Sequence, residues 1–302
     1  EEWLKWRRRG IGGSDAAKVM GVSRWGGPLS VYLEKKGIYT PDEPGEAAYW
    51  GTRLEDVVAQ EFSARTGLKV ARENKIFQHI EHPWMLANID RRIVGARKGL
   101  ECKTASGRFA EEWEGDALPD DYYIQIQHYI EVMGWKSCFV AVLIGGQRFI
   151  WKEVVRNPSL ILTIVEKERD FWLDHYVPEI APPISAVDNP SEFWPEEAEP
   201  DLLPDLDGEA ARMARELLEI KENIKQLEER EAYVETVLKG MVREHAGIAG
   251  VCTWRQAKES LKTDWKGIAM SLNPDPEIIA MYTETKPGSR RFLIDKTLLK
   301  GA

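Results

Sequence analysis

Apolar residues at Leu54, Val57, Val58 and Phe62 recur at helical spacing and are followed by Gly67, so residues 51–66 are expected to form a helix that the glycine ends. Downstream the period changes. Residues 74–79, 84–94 and 100–104 read as strands, the last two joined through 95–99 as a hairpin. Helical spacing returns over 121–134. Residues 137–144 and 148–155 are apolar, β-rich runs joined by Gly145-Gly146, and Asn157-Pro158 opens a helix reaching about Tyr176 with Asn as cap. Ahead of all this, Gly10-Ile11-Gly12-Gly13-Ser14-Asp15 reads as a turn. A helical pattern begins at 16–20, and a second helix falls at 28–36. The order predicts an α/β core with a mixed central sheet flanked by helices.

After 176 the periodicity lapses. Residues 177–208 are rich in Pro, Asp and Glu and read as a connector. The expected organisation is therefore a core over 1–180, an acidic, Pro-rich connector over 181–208, and a C-terminal part over 209–302. That last part opens with a long helix to about Ala246. Its apolar positions, Met213, Leu217, Ile220, Ile224, Leu227, Val234, Leu238 and Met241, step by four and three with one interruption at Glu231. This is the pattern of a coiled-coil-like arm, and equally of a long helix packed on its own domain. Residues 250–302 read as a small α/β tail with strand-like pieces at 251–255 and 291–294.

Composition narrows the class. The 302 residues are 43% hydrophobic and 30% charged, values of an ordinary globular chain with enough apolar material for a core. No apolar run approaches the ~20 residues of a membrane span, and EEWLKWRRRG lacks the apolar stretch of a signal peptide. Three cysteines (Cys102, Cys138, Cys252) make no disulfide framework and suit a reducing cytoplasm. The net charge of −9 does not by itself exclude a nucleic-acid substrate, because local cations such as Arg7-Arg8-Arg9 and bound metal ions set the field at a site.

Candidate chemistry lies on the predicted hairpin. In Leu100-Glu101-Cys102-Lys103-Thr104, residues two apart share a strand face, so Glu101 and Lys103 point together and Cys102 points into the core. Glu101 can hold a cation, Lys103 can reach an attacking water or phosphate, and the Cys102 carbonyl lies between them as an oxygen ligand. Alone, such an E-x-K is as readily an exposed ion pair. Ala87-Asn88-Ile89-Asp90 on the preceding strand brings a second carboxylate beside Glu101. Glu55 borders the apolar face of its helix and can project inward or stay partly exposed. Gln125 and Tyr129 share a helix face, where an amide can orient water or phosphate and the hydroxyl can contact a DNA backbone, or both can simply be core. One or two hard cations held by such carboxylates can activate water and stabilise a phosphoryl transition state.

In chain order these read G-x-x-x-E, I-D, E-x-K, Q-x-x-x-Y, the signature of RecB-like PD-(D/E)XK nucleases. The chain resembles the YqaJ viral recombinases, relatives of lambda exonuclease. The matching stretches are Arg9 to Ala16, Gly51-Thr52-Arg53-Leu54-Glu55, Ala87 to Asp90, Leu100 to Thr104 and Tyr122-Tyr123-Ile124-Gln125-Ile126-Gln127; the ending Pro287 to Leu293 also looks YqaJ-like. The resemblance implies a PD-(D/E)XK, restriction-endonuclease-like core. It implies Asp90, Glu101 and the Cys102 carbonyl as ligands of Mg²⁺, with Mn²⁺ substituting and two ions expected. Lys103 would position the water, Glu55 would be an outer acid, and Gln125 would hold nucleophile or phosphate. Arg7, Ser14 and Asn88 fall where 5′-phosphate contacts are expected, with Asn88 in place of a serine; Arg7 reads equally as one cation of a solvated run. Tyr122 and Tyr129 join the DNA-contacting set. The implied activity is 5′→3′ digestion of linear double-stranded DNA ends in a bacterial cytoplasm. It would leave 3′ single strands for an annealing protein, with homo-oligomerisation open. The rival readings are an endonuclease on the same core and an inactive DNA-end-binding scaffold.

Overall fold

Two cores form because β6, Ser137–Ile144, is apolar on both faces. Its even positions, Cys138, Val140, Val142 and Ile144, pack with Ile126, Tyr129 and Ile130. Phe139 and Ala141 pack on the other face with Val58, Ala59, Phe62 and Leu100. Continuous apolar strands of this kind belong to the covered middle of a sheet. The computed structural model describes residues 6–40, 45–197 and 202–283. The strands are β1 Val70–Arg72, β2 Phe77–Gln78, β3 Leu86–Ala87, β4 Arg91–Ile93, β5 Gly99–Ala105, β6, and β7 Arg148–Val155. A five-stranded sheet runs β1-β4-β5-β6-β7, with β5 and β6 parallel and the other pairs antiparallel. Helices α1 Gly13–Val19, α2 Pro28–Lys36, α3 Glu46–Thr66, α4 Asp120–Val132 and α5 Pro158–Asp170 flank it, α3 and α4 on opposite faces.

The chain divides into one unit ending at Phe193 and a second beginning at Trp194. Within the first, α2, β6 and β7 have the ranges read from the sequence. Gly67 ends α3 at φ 74°, a left-handed conformation that favours glycine. The Asn157 side chain accepts from Leu160 N at 3.2 Å and caps α5, which runs on through a π-helical turn, Phe171–Tyr176. Three expectations are corrected. Residues 84–94 are not one strand but β3 and β4, broken at Asn88-Ile89-Asp90. The strand expected at 74–79 shrinks to β2, and β1 supplies the sheet edge instead. The stretch 181–193 is not bare connector: Asp188 accepts from Gly27 N at 3.0 Å and from Ser185 N at 2.8 Å, and Phe193 packs edge-on to Tyr39 at 5.2 Å.

The second unit holds the long helix Glu209–Val242. Six of its eight heptad positions are exposed, among them Ile224 at 49% and Leu227 at 69%, and Leu217 and Leu238 are half-buried, so the stripe is not buried in a domain core. Beyond it, Gly247–Ile248 pairs with Cys252–Thr253, and short helices follow at Trp265–Ser271 and Pro276–Met281. The expected strand 291–294 and the Pro287 to Leu293 ending lie outside the described residues. Among the described residues no helix is long and apolar enough to cross a membrane.

If Asp188 anchors 181–193, Asp188→Ala lowers stability by about 1–3 kcal/mol, the cost of orphaning a buried donor at Gly27. Urea unfolding of the two proteins checks this; an unchanged midpoint would mean the segment is not anchored.

Candidate active site

The β4–β5 ladder pairs Arg91 with Leu100 and Arg92 with Gly99. One step further, Asp90 falls opposite Glu101, but there the ladder stops. Asp90 Oδ2 takes over as acceptor for Cys102 N at 2.8 Å. The break between β3 and β4 is thus the place where a side-chain carboxylate replaces a backbone carbonyl. In a strand the N–H and C=O of one residue face the same edge, so the Cys102 carbonyl opens toward Asp90 as well. The Cys102 side chain goes to the α3 core, as its alternation with Glu101 and Lys103 requires.

On the α4 face, Glu101 is buried. Its Oε1 accepts from Gln125 Nε2 and is paired with Lys103 Nζ, both at 2.8 Å. Gln125 Nε2 also donates to the Tyr129 hydroxyl at 2.9 Å. Tyr129 is buried, and its hydroxyl forms part of the site floor rather than an outward-facing contact. Tyr122 is half-buried, and Lys103 Nζ lies 4.8 Å from its ring centroid. Glu55 stands further out, with Oε1 bonded to Arg91 Nη1 and 3.7 Å from Arg72.

Burial first, then the charge of Glu101, pushes the Asp90 carboxyl up to about 8, against the pull of Lys103 and the Cys102 N–H. Burial would lower Lys103, but Glu101 and Asp90 outweigh it and hold the ammonium form. Glu101 Oε2 is buried with no hydrogen-bond partner. Two adjoining carboxylates, one orphaned oxygen and a carbonyl facing the same gap form a hard, all-oxygen donor set that suits a divalent cation. Among the described residues no three His, Cys, Asp or Glu side chains gather into a preformed cage. That is compatible with Mg²⁺, which keeps several waters and takes one or two carboxylates.

The carboxylates border two cavities. A 640 Å³ cleft is lined by Glu55, Asp90, Glu101, Lys103 and Tyr122, and by residues of the 21–27 and 105–113 segments. A 180 Å³ cavity is lined by Arg7, Ser14 and Asn88 together with Asp90, Glu101, Gln125 and Tyr129. All the residues singled out from the sequence therefore border one of these two spaces or support their walls. Arg7 Nη2 donates to Ser14 Oγ at 3.1 Å and lies 3.4 Å from Asp15 Oδ1.

Several supporting residues escaped the sequence reading. Asp15 is buried and bonds Lys35 Nζ at 2.7 Å and Gly12 N at 2.9 Å; Lys35 and Arg7 outweigh burial and hold its carboxyl well below the usual range. Arg91 spans Glu55 and Asp56. His128 sits behind the site, with Nδ1 2.7 Å from Glu168 and Nε2 2.9 Å from the Leu86 carbonyl. Asp15 stood inside the quoted glycine motif and Arg91 followed Asp90, but only packing pairs them with residues 20 and 36 positions away.

A model of the YqaJ-like viral recombinase domain matches residues 2–136. The chain is 39% identical over 245 residues to the uncharacterised protein YqaJ of Bacillus subtilis (strain 168), covering 79% of this chain and 77% of that one. That share exceeds the first unit, so the likeness reaches into the second. Among solved structures, an alkaline exonuclease (LHK-Exo) from Laribacter hongkongensis is similar at TM-score 0.51 and 19% identity, over 59% of this chain and 93% of that one. LHK-Exo in complex with dAMP gives 0.50 at 20% identity, with the same coverage. These likenesses establish the fold.

With Asp90 raised to about 8, a cation binding below that pH displaces a proton. Ionising Asp90 in the metal-free fold costs stability, and the cost grows as pH rises from the ordinary carboxylate range toward about 8. If the two carboxylates hold a cation, apparent Mn²⁺ affinity should climb from pH 6, by about tenfold per unit at most, and level off near pH 8. Calorimetric titration in buffers of different ionisation enthalpy reads both affinity and proton release. A pH-independent affinity with no proton released would contradict this assignment.

Proposed function

Because the chain belongs to the YqaJ-like viral recombinase family, we propose that it is a magnesium-dependent deoxyribonuclease that digests linear double-stranded DNA from its 5′ ends. The observation that carries this reading is the buried, unpartnered Glu101 Oε2 beside Asp90, with Lys103 Nζ 2.8 Å from the other Glu101 oxygen, at the edge of an open cleft. Asp90, Glu101 and the Cys102 carbonyl would hold the cation. When bound, Mg²⁺ supplies Lewis-acid stabilisation of the charge that develops on the scissile phosphate.

This chain's own residues do the rest. Lys103, held as an ammonium, steers the attacking water and offsets charge on a phosphate oxygen. Gln125 fixes Glu101 Oε1 and is itself fixed by Tyr129, so the carboxylate keeps its orientation. Glu55 is an outer acid, set by Arg91. Arg7 offers a planar fork of donors and Ser14 a hydroxyl to a terminal phosphate in the 180 Å³ cavity, with Asn88 on the same wall. That cavity borders the same two carboxylates as the cleft, which supports a terminal phosphate lying upstream of the bond to be cut. The product would be duplex with 3′ single strand, the substrate of an annealing protein in the host cytoplasm.

The test is a linear duplex labelled at one 5′ end, with and without 5′ phosphate, beside a covalently closed circle. The expected result is stepwise release from phosphorylated ends in Mg²⁺, no cutting in EDTA, and an intact circle. Cutting of the circle would replace the exonuclease reading with an endonuclease one, and activity in EDTA would remove the metal. Lys103→Ala should lose roughly 10²–10³ in rate while still binding DNA.

A separate outcome belongs to the end pocket. Arg7→Ala should erase most of the preference for 5′ phosphate over 5′ hydroxyl while leaving cleavage at the metal centre possible. Comparing single-turnover rates on both ends reads it. Equal rates on both ends for the wild-type protein would remove the pocket.

A further inference from the structure

The 640 Å³ cleft has a wall that the roles above do not use. Trp25 lines it, together with Arg24, Arg108 and Phe109. The Trp25 side chain belongs to a residue that is 71% exposed, although the loop carrying it is firmly held. Trp25 N donates to Oγ of the buried Ser23 at 3.1 Å. Arg24, on one side, donates to both oxygens of Glu112 at 2.9 and 3.3 Å, lies 3.9 Å from Asp121, and has its guanidinium 5.4 Å from the Phe109 ring centroid. On the other side, Gly26 takes φ 136° and Gly27 N is anchored by Asp188. A large apolar ring presented to water on a pinned loop is informative in a way that a scattered surface residue is not.

The two cavities share Asp90 and Glu101. A strand whose 5′ phosphate occupies the small cavity therefore crosses the carboxylates and continues into the cleft. The nucleotide past the scissile bond would then lie in the cleft that Trp25 lines together with the small residues Ala47, Ala48 and Gly51 of α3. We propose that Trp25 is the stacking platform for the nucleobase on the 3′ side of the scissile phosphate, taken out of its base pair to reach the ring. Every base has a π-face, so such a platform is sequence-tolerant, as an end-resecting nuclease requires. The inference rests on the nuclease reading above.

The test compares wild type, Trp25→Ala and Trp25→Phe on two substrates in Mn²⁺. One is a fully paired, 5′-phosphorylated duplex. The other is the same duplex with a tetrahydrofuran abasic residue as its second nucleotide, so that no base lies on the 3′ side of the scissile phosphate. The expected result is a loss of roughly ten- to a hundred-fold in kcat/KM on the fully paired duplex for Trp25→Ala, most of it restored in Trp25→Phe, with the rate on the abasic duplex unaffected by either substitution. Mismatching the first few pairs should shrink the loss, since the base is already unpaired. A Trp25→Ala protein at wild-type rate on the duplex overturns the proposal, and so does an equal loss on both substrates. A second measurement is independent of turnover. In Ca²⁺, 2-aminopurine placed 3′ of the scissile phosphate should be quenched by the wild-type protein and not by Trp25→Ala; no quenching in wild type also overturns it. A wild-type protein inactive on both substrates would sink the nuclease reading, while the fluorescence still decides the stacking.

Discussion

Burying two carboxylates side by side is costly, and the first unit is arranged around that cost. Asp90 and Glu101 cannot both ionise in a dry site without compensation. The fold supplies it in part: the Cys102 N–H for Asp90, and the Gln125 amide and Lys103 for one oxygen of Glu101. One oxygen is left without a partner. The consequences spread outward. Gln125 must be held, so Tyr129 packs beneath it. Tyr129 in turn leaves no room for a side chain at Gly13, where an added Cβ would lie 2.7 Å from Tyr129 Cζ. Gly10 is similarly confined, because a Cβ there would come 2.5 Å from the Trp84 carbonyl as the N-terminal segment docks on β3. Gly10 and Gly13 thus read as close-approach residues serving the site.

This explains why the site was more legible in the sequence than the sheet was. Glu101, Cys102 and Lys103 lie on one strand, so alternation alone predicts which of them face the carboxylate gap and which faces the core. β6 and β7 were legible for the same reason: they are long, apolar and interrupted only by a two-glycine turn. The break between β3 and β4 was not. Residues 84–94 carry strand-like composition throughout, and what ends the ladder is a tertiary event, the capture of Cys102 N by Asp90. β1 escaped because three residues give no period to read. The anchoring of 181–193 escaped because it depends on Asp188 meeting a backbone N–H far away in sequence, at Gly27, and a Pro- and acid-rich composition looks the same whether or not such a contact is made.

The buried partners were invisible for a related reason. Asp15 lies in a motif whose glycines drew attention, and Lys35 falls in what looks like the basic last turn of α2. Neither spacing nor composition says that these two charges meet in the interior, 2.7 Å apart. Nor is there any pattern by which His128 and Glu168, on different helices, would be paired before the helices are packed.

A chain of net charge −9 seems a poor partner for DNA only if charge is counted rather than placed. Three of the cations around the two cavities are tied to carboxylates. Arg7 is tied to Asp15, Arg24 to Glu112 and Asp121, and Lys103 to Glu101. Such pairs lower the net field but fix the position of each cation before a phosphate arrives. A long basic side chain that is already ordered does not lose its rotamer freedom again on binding, so part of the cost of recognition is met during folding. Long-range attraction is weak in such a design. If the chain acts as the nuclease proposed, discrimination would rest on whether a phosphate reaches the fixed donors, which would favour a strand end entering the 180 Å³ cavity over the featureless flank of a duplex.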